Sequence, residues 1–147
     1  MKVNKILIVL GEPQSIFSEI LFKYFKSKEF LKNKKKIILI GSLNLIKQHM
    51  KKLKYNLDLQ LINNVKEAKI NRLNILNINY NNGKIFTEIS SSSKKYISNC
   101  FKVALNLIKI NKRTILINGP ISKKYFLKKK FLGITEYVAK KSNKKGQ

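Results

Sequence analysis

Thr114-Ile115-Leu116-Ile117-Asn118-Gly119-Pro120-Ile121-Ser122-Lys123 is an apolar run of strand length stopped by a Gly-Pro pair. The whole chain holds only 6 glycines and 2 prolines, so their pairing here marks a strand-to-loop stop rather than a chance composition. In an open α/β sheet the carboxyl end of a strand is where ligand-binding residues gather. After a further nine residues comes Gly133-Ile134-Thr135-Glu136-Tyr137. Lys123 is placed to meet a phosphate or carboxylate as a point charge. The Thr135 hydroxyl and helix N-terminal amides behind Gly133 could converge on the same anion. The plain structural alternative is a capping turn, with Thr135 as the N-cap.

Working outward, strands and helices alternate. Residues 5–10 are a continuous apolar run ended by Gly11-Glu12-Pro13. Ile16, Phe17, Ile20, Leu21, Tyr24 and Phe25 then recur at the spacing of one helix face. Residues 37–40 form a second buried strand ended by Gly41-Ser42, and 43–53 reads as a helix. Short strands are expected at 57–62 and 73–78. Asn-Tyr-Asn-Asn-Gly at 79–83 is turn chemistry, because Asn and Gly tolerate positive φ. The four serines at 90–93 are a helix entry whose hydroxyls can cap free amides. Ile97, Cys100, Phe101, Ala104, Leu105 and Ile108 mark a long amphipathic helix to about residue 110. Two short helices are expected at 123–130 and 135–141, before a polar tail at 142–147. The order implies an α/β fold, a mixed or parallel sheet with helices on both faces. The alternation ends without a closing strand, as in a frayed terminus or a chain cut short.

Composition sets the outer limits. With 147 residues, 44% of them hydrophobic, the chain can build one core and is not of the disordered type. No apolar run reaches the ~18 residues of a spanning helix. The apolar N-terminus lacks a small-residue cleavage site and runs straight into Gly11-Glu12-Pro13, so it reads as a buried strand rather than a signal peptide. A single cysteine excludes an internal disulfide framework and suits the cytoplasm. The net charge of +25 comes from 30 Lys and only 2 Arg, beside 17 Asn and 21 Ile. Those are residues that AT-rich codons favour, whereas nucleic-acid sites also draw on the bidentate guanidinium. A solvated lysine surface is the main reading, and a basic nucleic-acid-binding module the alternative.

Catalytic side chains are scarce. His49, the one histidine, sits among Lys47, Lys51 and Lys52 and reads as a surface residue, neither ligand nor base. Cys100 falls on an apolar helix face and reads as core. The seven acidic residues show no metal-ligand spacing. Gly11-Glu12-Pro13 opens a helix and could present amides to an anion, but it is neither GxGxxG nor a Walker loop.

Together these segments resemble the N-terminal half of the 4-hydroxythreonine-4-phosphate dehydrogenase family. Its Gly-Asp/Glu-Pro motif and following acidic residue are similar to Gly11-Glu12-Pro13 with Glu19. Its Gly-Pro-x-x-Lys matches Gly119-Pro120-Ile121-Ser122-Lys123, and its Gly-His-Thr-Glu-Phe is answered by Gly133-Ile134-Thr135-Glu136-Tyr137. The resemblance implies part of a two-domain subunit like those of isocitrate and isopropylmalate dehydrogenases, working as a homodimer. It implies NAD- or NADP-dependent oxidation of 4-phosphooxy-L-threonine, aided by a divalent metal, then decarboxylation, in pyridoxal phosphate (vitamin B6) synthesis. It implies Thr135 and Lys123 as substrate contacts, with Ile134 in the position of the family histidine. The family's metal ligands and most cofactor contacts would lie beyond residue 147, so the chain alone is expected to be inactive. Two departures stand out: Ile134, which cannot hydrogen-bond, and the loss of the family's glycines after Pro13, with Phe17 in their place. A related dehydrogenase with an altered substrate, or a decayed remnant, would carry the same departures.

Overall fold

Strands buried on both faces read as unbroken apolar runs, and the runs at residues 6–9 and 37–40 each lie within a strand. The computed structural model describes residues 2–80, 85, 86 and 88–143. In chain order they give β1 (Lys5–Val9), α1 (Phe17–Phe25), α2 (Lys28–Lys32), β2 (Lys36–Gly41), α3 (Leu43–Leu53), β3 (Leu59–Ile62) and β4 (Leu73–Asn77). Then come α4 (Lys94–Ile110), β5 (Thr114–Asn118), a π-helical turn at Lys123–Leu127 and α5 (Ile134–Asn143). Residues 81–83 of the expected turn and 144–147 of the expected tail lie outside the described residues.

The five strands make one sheet in the order β3-β4-β2-β1-β5, with every pairing parallel. Successive residues face opposite sides. Ile8, Ile37, Leu39 and Ile75 therefore pack under Leu21, Phe22 and Phe25 of α1, Phe30 of α2 and Ile46 of α3. Leu7, Val9, Ile38 and Ile40 pack against Ile97, Cys100, Phe101 and Ala104 of α4, with Phe126 and Tyr137 behind. Helices thus cover both faces, and the sheet is parallel rather than mixed. Cys100 is core, as its helix face implies, and burial pushes its thiol up to about 12.

Local chemistry sets the helix ends. Ser27 and Ser42 cap α2 and α3, their hydroxyl oxygens accepting from the Phe30 and Leu45 amides at 3.2 Å each. Two expectations shift. The buried face of α1 is Ser18, Leu21, Phe22 and Phe25, whereas Ile16 and Ile20 are 65% and 58% exposed. The four serines do lead into α4, but through a 3-10 turn at Ser91–Ser93 in which Ser90 accepts from the Ser92 amide at 3.3 Å.

Candidate functional site

From β1 the chain crosses to β2 on one side, and it returns to the other side of β1 only at β5. The carboxyl ends of β1 and β5 therefore form the topological switch point, where open α/β sheets place ligands. Two glycine loops meet there. The Gly119 amide donates to the Val9 carbonyl at 2.7 Å, and the Glu12 amide to the Pro120 carbonyl at 2.9 Å. A Cβ on Gly119 would overlap the Leu10 carbonyl oxygen and come within 2.6 Å of Phe17 Cδ1. One on Gly11, whose φ is +76°, would overlap the Pro120 carbonyl oxygen. Both glycines thus permit a backbone approach that no other residue allows. The Gly11-Glu12-Pro13 turn is accordingly a loop clasp: the Glu12 amide that could have met an anion is spent on Pro120.

The Glu12 side chain completes the clasp. It is buried, accepting from the Ser93 hydroxyl at 2.8 Å and from the Ser122 amide at 3.4 Å. Burial pushes its carboxyl above the ordinary range, and those two donors offset part of the shift. Ser93, committed to Glu12, makes no capping bond to α4. Glu12 also lines a cavity of about 20 Å³, shared with Ser18, His49 and Tyr96. The expectation of a surface His49 is wrong. The ring is 5% exposed, stacked at 4.6 Å on Phe86, with neither nitrogen hydrogen-bonded. Burial pushes its imidazole below the usual histidine range, opposed more weakly by the nearby Pro13 backbone, which is outside hydrogen-bonding geometry. Its lysine neighbours occupy the outer faces of α3. Sequence spacing missed it because Phe86, which covers the ring, lies 37 residues later and belongs to no regular element.

Beside the clasp, at the end of β5, runs an open groove of about 410 Å³. Phe17, Ile121, Leu127 and Ile134 wall it, and Asn118 and Lys123 bring polar groups to it. Lys123 opens the π-helical turn that Ser122 caps, the Ser122 hydroxyl oxygen accepting from the Tyr125 amide at 3.0 Å. The structure therefore brings Lys123 and Ile134 together. Thr135 is exposed in the first turn of α5, next to the groove but not lining it. It is not the N-cap, because the helix already begins at Ile134; instead the Glu136 carboxylate accepts from the Leu132 amide at 2.7 Å.

Such a groove can hold a small molecule with an apolar body and one anionic end. Among the described residues, no group of three His, Cys, Asp or Glu side chains converges, so these side chains do not by themselves fit a divalent metal. Of the four aromatics expected on apolar helix faces, Phe25 and Phe101 are buried, Tyr24 is half-buried, and Phe17 walls the groove.

The family model for pyridoxal phosphate biosynthetic protein PdxA matches residues 33–147. Among curated proteins, a 4-hydroxythreonine-4-phosphate dehydrogenase of Sulfurihydrogenibium sp. (strain YO3AOP1) is 29% identical over 146 residues, which is 96% of this chain and 44% of that protein. Solved structures agree in fold. A 4-hydroxythreonine-4-phosphate dehydrogenase from Burkholderia phymatum superposes with a TM-score of 0.79 at 17% identity, covering 95% of this chain and 44% of the other. A putative 4-hydroxythreonine-4-phosphate dehydrogenase from Salmonella typhimurium gives 0.77 at 19% identity, covering 94% and 44%. The chain thus spans less than half the length of these relatives.

Proposed function

This chain belongs to the pyridoxal phosphate biosynthetic protein PdxA family, and we propose that it supplies one wall of the substrate site of a 4-hydroxythreonine-4-phosphate dehydrogenase. The reaction is oxidation of the secondary alcohol of 4-phosphooxy-L-threonine, followed by decarboxylation of the resulting β-keto acid. A nicotinamide cofactor, NAD or NADP, accepts the hydride when bound. The described residues do not offer a donor set for a divalent metal. In this reading the metal and most of the cofactor are held by the part of a family-length protein that this chain does not contain. The chain alone is then without turnover, and the completed two-domain subunit works as a cytoplasmic homodimer.

The observation that carries the reading is the convergence of Lys123 and Ile134 on one groove at the β1/β5 switch point. In this reading the Lys123 ammonium holds the phosphate, and Thr135, one residue beyond the wall, adds a hydroxyl. Ile134, in the histidine position, gives van der Waals contact and no hydrogen bond. The glycine clasp holds together the loops at one end of the groove, which Gly119 and Pro120 line.

The test is reconstitution. The chain is produced together with the segment of the Sulfurihydrogenibium relative that it does not match, and NADH formation from 4-phosphooxy-L-threonine is followed. Lys123→Ala removes a charge-assisted contact worth about 1.5–3 kcal/mol, so KM should rise roughly 10- to 100-fold. A folded complex that gives no NADH at any substrate concentration refutes the assignment.

A further inference from the structure

On the α4 side of the sheet, α5 and the loop before it flank the first turns of α4 and leave a cleft of about 250 Å³. It shares only Leu127 with the groove at the end of β5. Its floor is aromatic. Tyr137 meets Phe126 and Phe131 edge-on, with ring centroids 5.1 and 5.3 Å away, and Phe131 is only half-buried. Its rim is cationic: Lys94 from α4, Lys130 from the loop, and Lys140 and Lys141 from the last turn of α5. Lys140 Nζ and Lys141 Nζ stand 5.4 and 5.8 Å from the Phe131 and Tyr137 centroids, which brings ammonium charge over the floor. Ser98 adds a hydroxyl.

Nothing on the page neutralises these cations. Among the described residues no carboxylate lines the cleft, and the ion pairs, Lys23 with Glu19 and Arg72 with Asp58, lie elsewhere. The Glu136 carboxylate of α5 is engaged by the Leu132 amide. The lysines crowd one another instead. Lys128 and Lys129 hold left-handed backbone, at φ 48° and 59°, a conformation that side chains other than glycine seldom adopt. Desolvation, and then the like charges of Lys128 and Lys130, push the Lys94 ammonium below the ordinary lysine range. Along α4 the cleft runs into a second of about 350 Å³, which shares Ser98, Tyr137 and Lys141 and adds Lys102 and Lys109. Together they reach the size of small-molecule sites.

We propose that the α4/α5 cleft binds a small phosphate monoester with a flat apolar body, the lysines holding the phosphate and the ring lying against Phe131 and Tyr137. Lysine serves phosphate as a point charge, so several converging ammoniums suit a dianion. A nucleic-acid strand fits less well, because Phe126 and Tyr137 are 5% and 7% exposed and offer little ring face for successive bases. The site stands apart from the dehydrogenase reading and does not depend on it.

Phenyl phosphate is the probe, titrated into the full chain at physiological ionic strength and followed by amide NMR shifts. Saturable one-to-one binding is expected, with shifts centred on residues 94–98, 126–131 and 137–141. Lys94→Gln with Lys130→Gln should weaken it tenfold or more, and Phe131→Ala severalfold. Lys51→Gln with Lys52→Gln removes the same charge from exposed positions on α3 and should leave it unchanged. Inorganic phosphate, which lacks the ring, and benzyl alcohol, which lacks the phosphate, should each bind more weakly. Circular dichroism checks that each variant is folded. The site is overturned by binding that spreads over the lysines without saturating, by an equal loss in the α3 variant, or by a Phe131→Ala affinity equal to the parent's. Inorganic phosphate binding as tightly as the ester also overturns it, as do shifts centred on Lys123, which would put the ligand in the β5 groove. An oligothymidylate that fills the same cleft more tightly than phenyl phosphate would make a nucleic-acid strand the occupant and likewise overturn the proposal.

Discussion

Replacing Gly119 by alanine isolates what the clasp contributes. The added Cβ would overlap the Leu10 carbonyl oxygen and lie 2.6 Å from Phe17 Cδ1 and 2.9 Å from the Leu10 carbonyl carbon. The phenylalanine ring can swing aside, but the backbone oxygen cannot move unless the β1 loop moves with it. Relief needs a separation of about 1 Å between loops joined by bonds of 2.7 and 2.9 Å. Overpacking of this kind costs about 1–3 kcal/mol, and weakening one or both hydrogen bonds adds about 0.5–1.5 kcal/mol each. Gly119→Ala should therefore destabilise by roughly 2–4 kcal/mol. For a chain of this size that lowers Tm by about 5–15 °C. Gly133→Ala is the control: nothing lies within 4 Å of its Cβ, so it should be neutral or stabilise by up to about 1 kcal/mol. Urea titration followed by far-ultraviolet circular dichroism suits a chain without tryptophan. A Gly119→Ala midpoint matching the parent, or a Gly133→Ala loss of equal size, would refute the clasp.

The buried titratable groups give two pH predictions of opposite sign. Glu12 has a raised carboxyl, so its contribution to stability is present in acid and is lost as pH rises through its folded value. Glu12→Gln keeps the shape and removes the charge, and should gain on the parent as pH climbs from about 4.5 to 7; parallel stability curves over that range would disprove it. His49 is lowered, so stability is full above about 6.5 and declines below it as only the unfolded chain takes up the proton. His49→Phe retains a ring to stack on Phe86 and should flatten that decline between pH 6.5 and 5, measured as Tm; an unchanged slope would show that the imidazole is not buried in solution.

The sheet was legible because parallel strands covered on both faces leave unbroken runs such as Ile37-Ile38-Leu39-Ile40, and Gly or Asn marks their ends. The α4 face was legible for a similar reason: Ile97, Cys100, Phe101, Ala104 and Leu105 are all buried, and they share one 3.6-residue stripe. The α1 face was misjudged because Ile16 and Ile20 are as apolar as Leu21 and Phe22, and periodicity cannot say which apolar row meets the sheet. His49 was misjudged because its burial depends on a non-local partner, Phe86, not on the lysines beside it. In the site, the loop stop at Gly119-Pro120 and the positions of Lys123 and Ile134 were readable. The role of Glu12 was not: its partners, Ser93 and Ser122, lie 81 and 110 residues away.

The placement of β1 beside β5 also has a consequence in time. Lys5 pairs with Thr114, so the inner strand on which the sheet is built waits for more than one hundred further residues before that edge is covered. At roughly 5–20 residues per second of synthesis, the Ile-Leu-Ile-Val run stands open for about 5–20 s. Through that interval β1 can recruit β2 but not its second neighbour, and any other nascent apolar strand can compete for the place. The order in which the strands leave the ribosome thus makes the β1–β5 pairing the last step of sheet assembly.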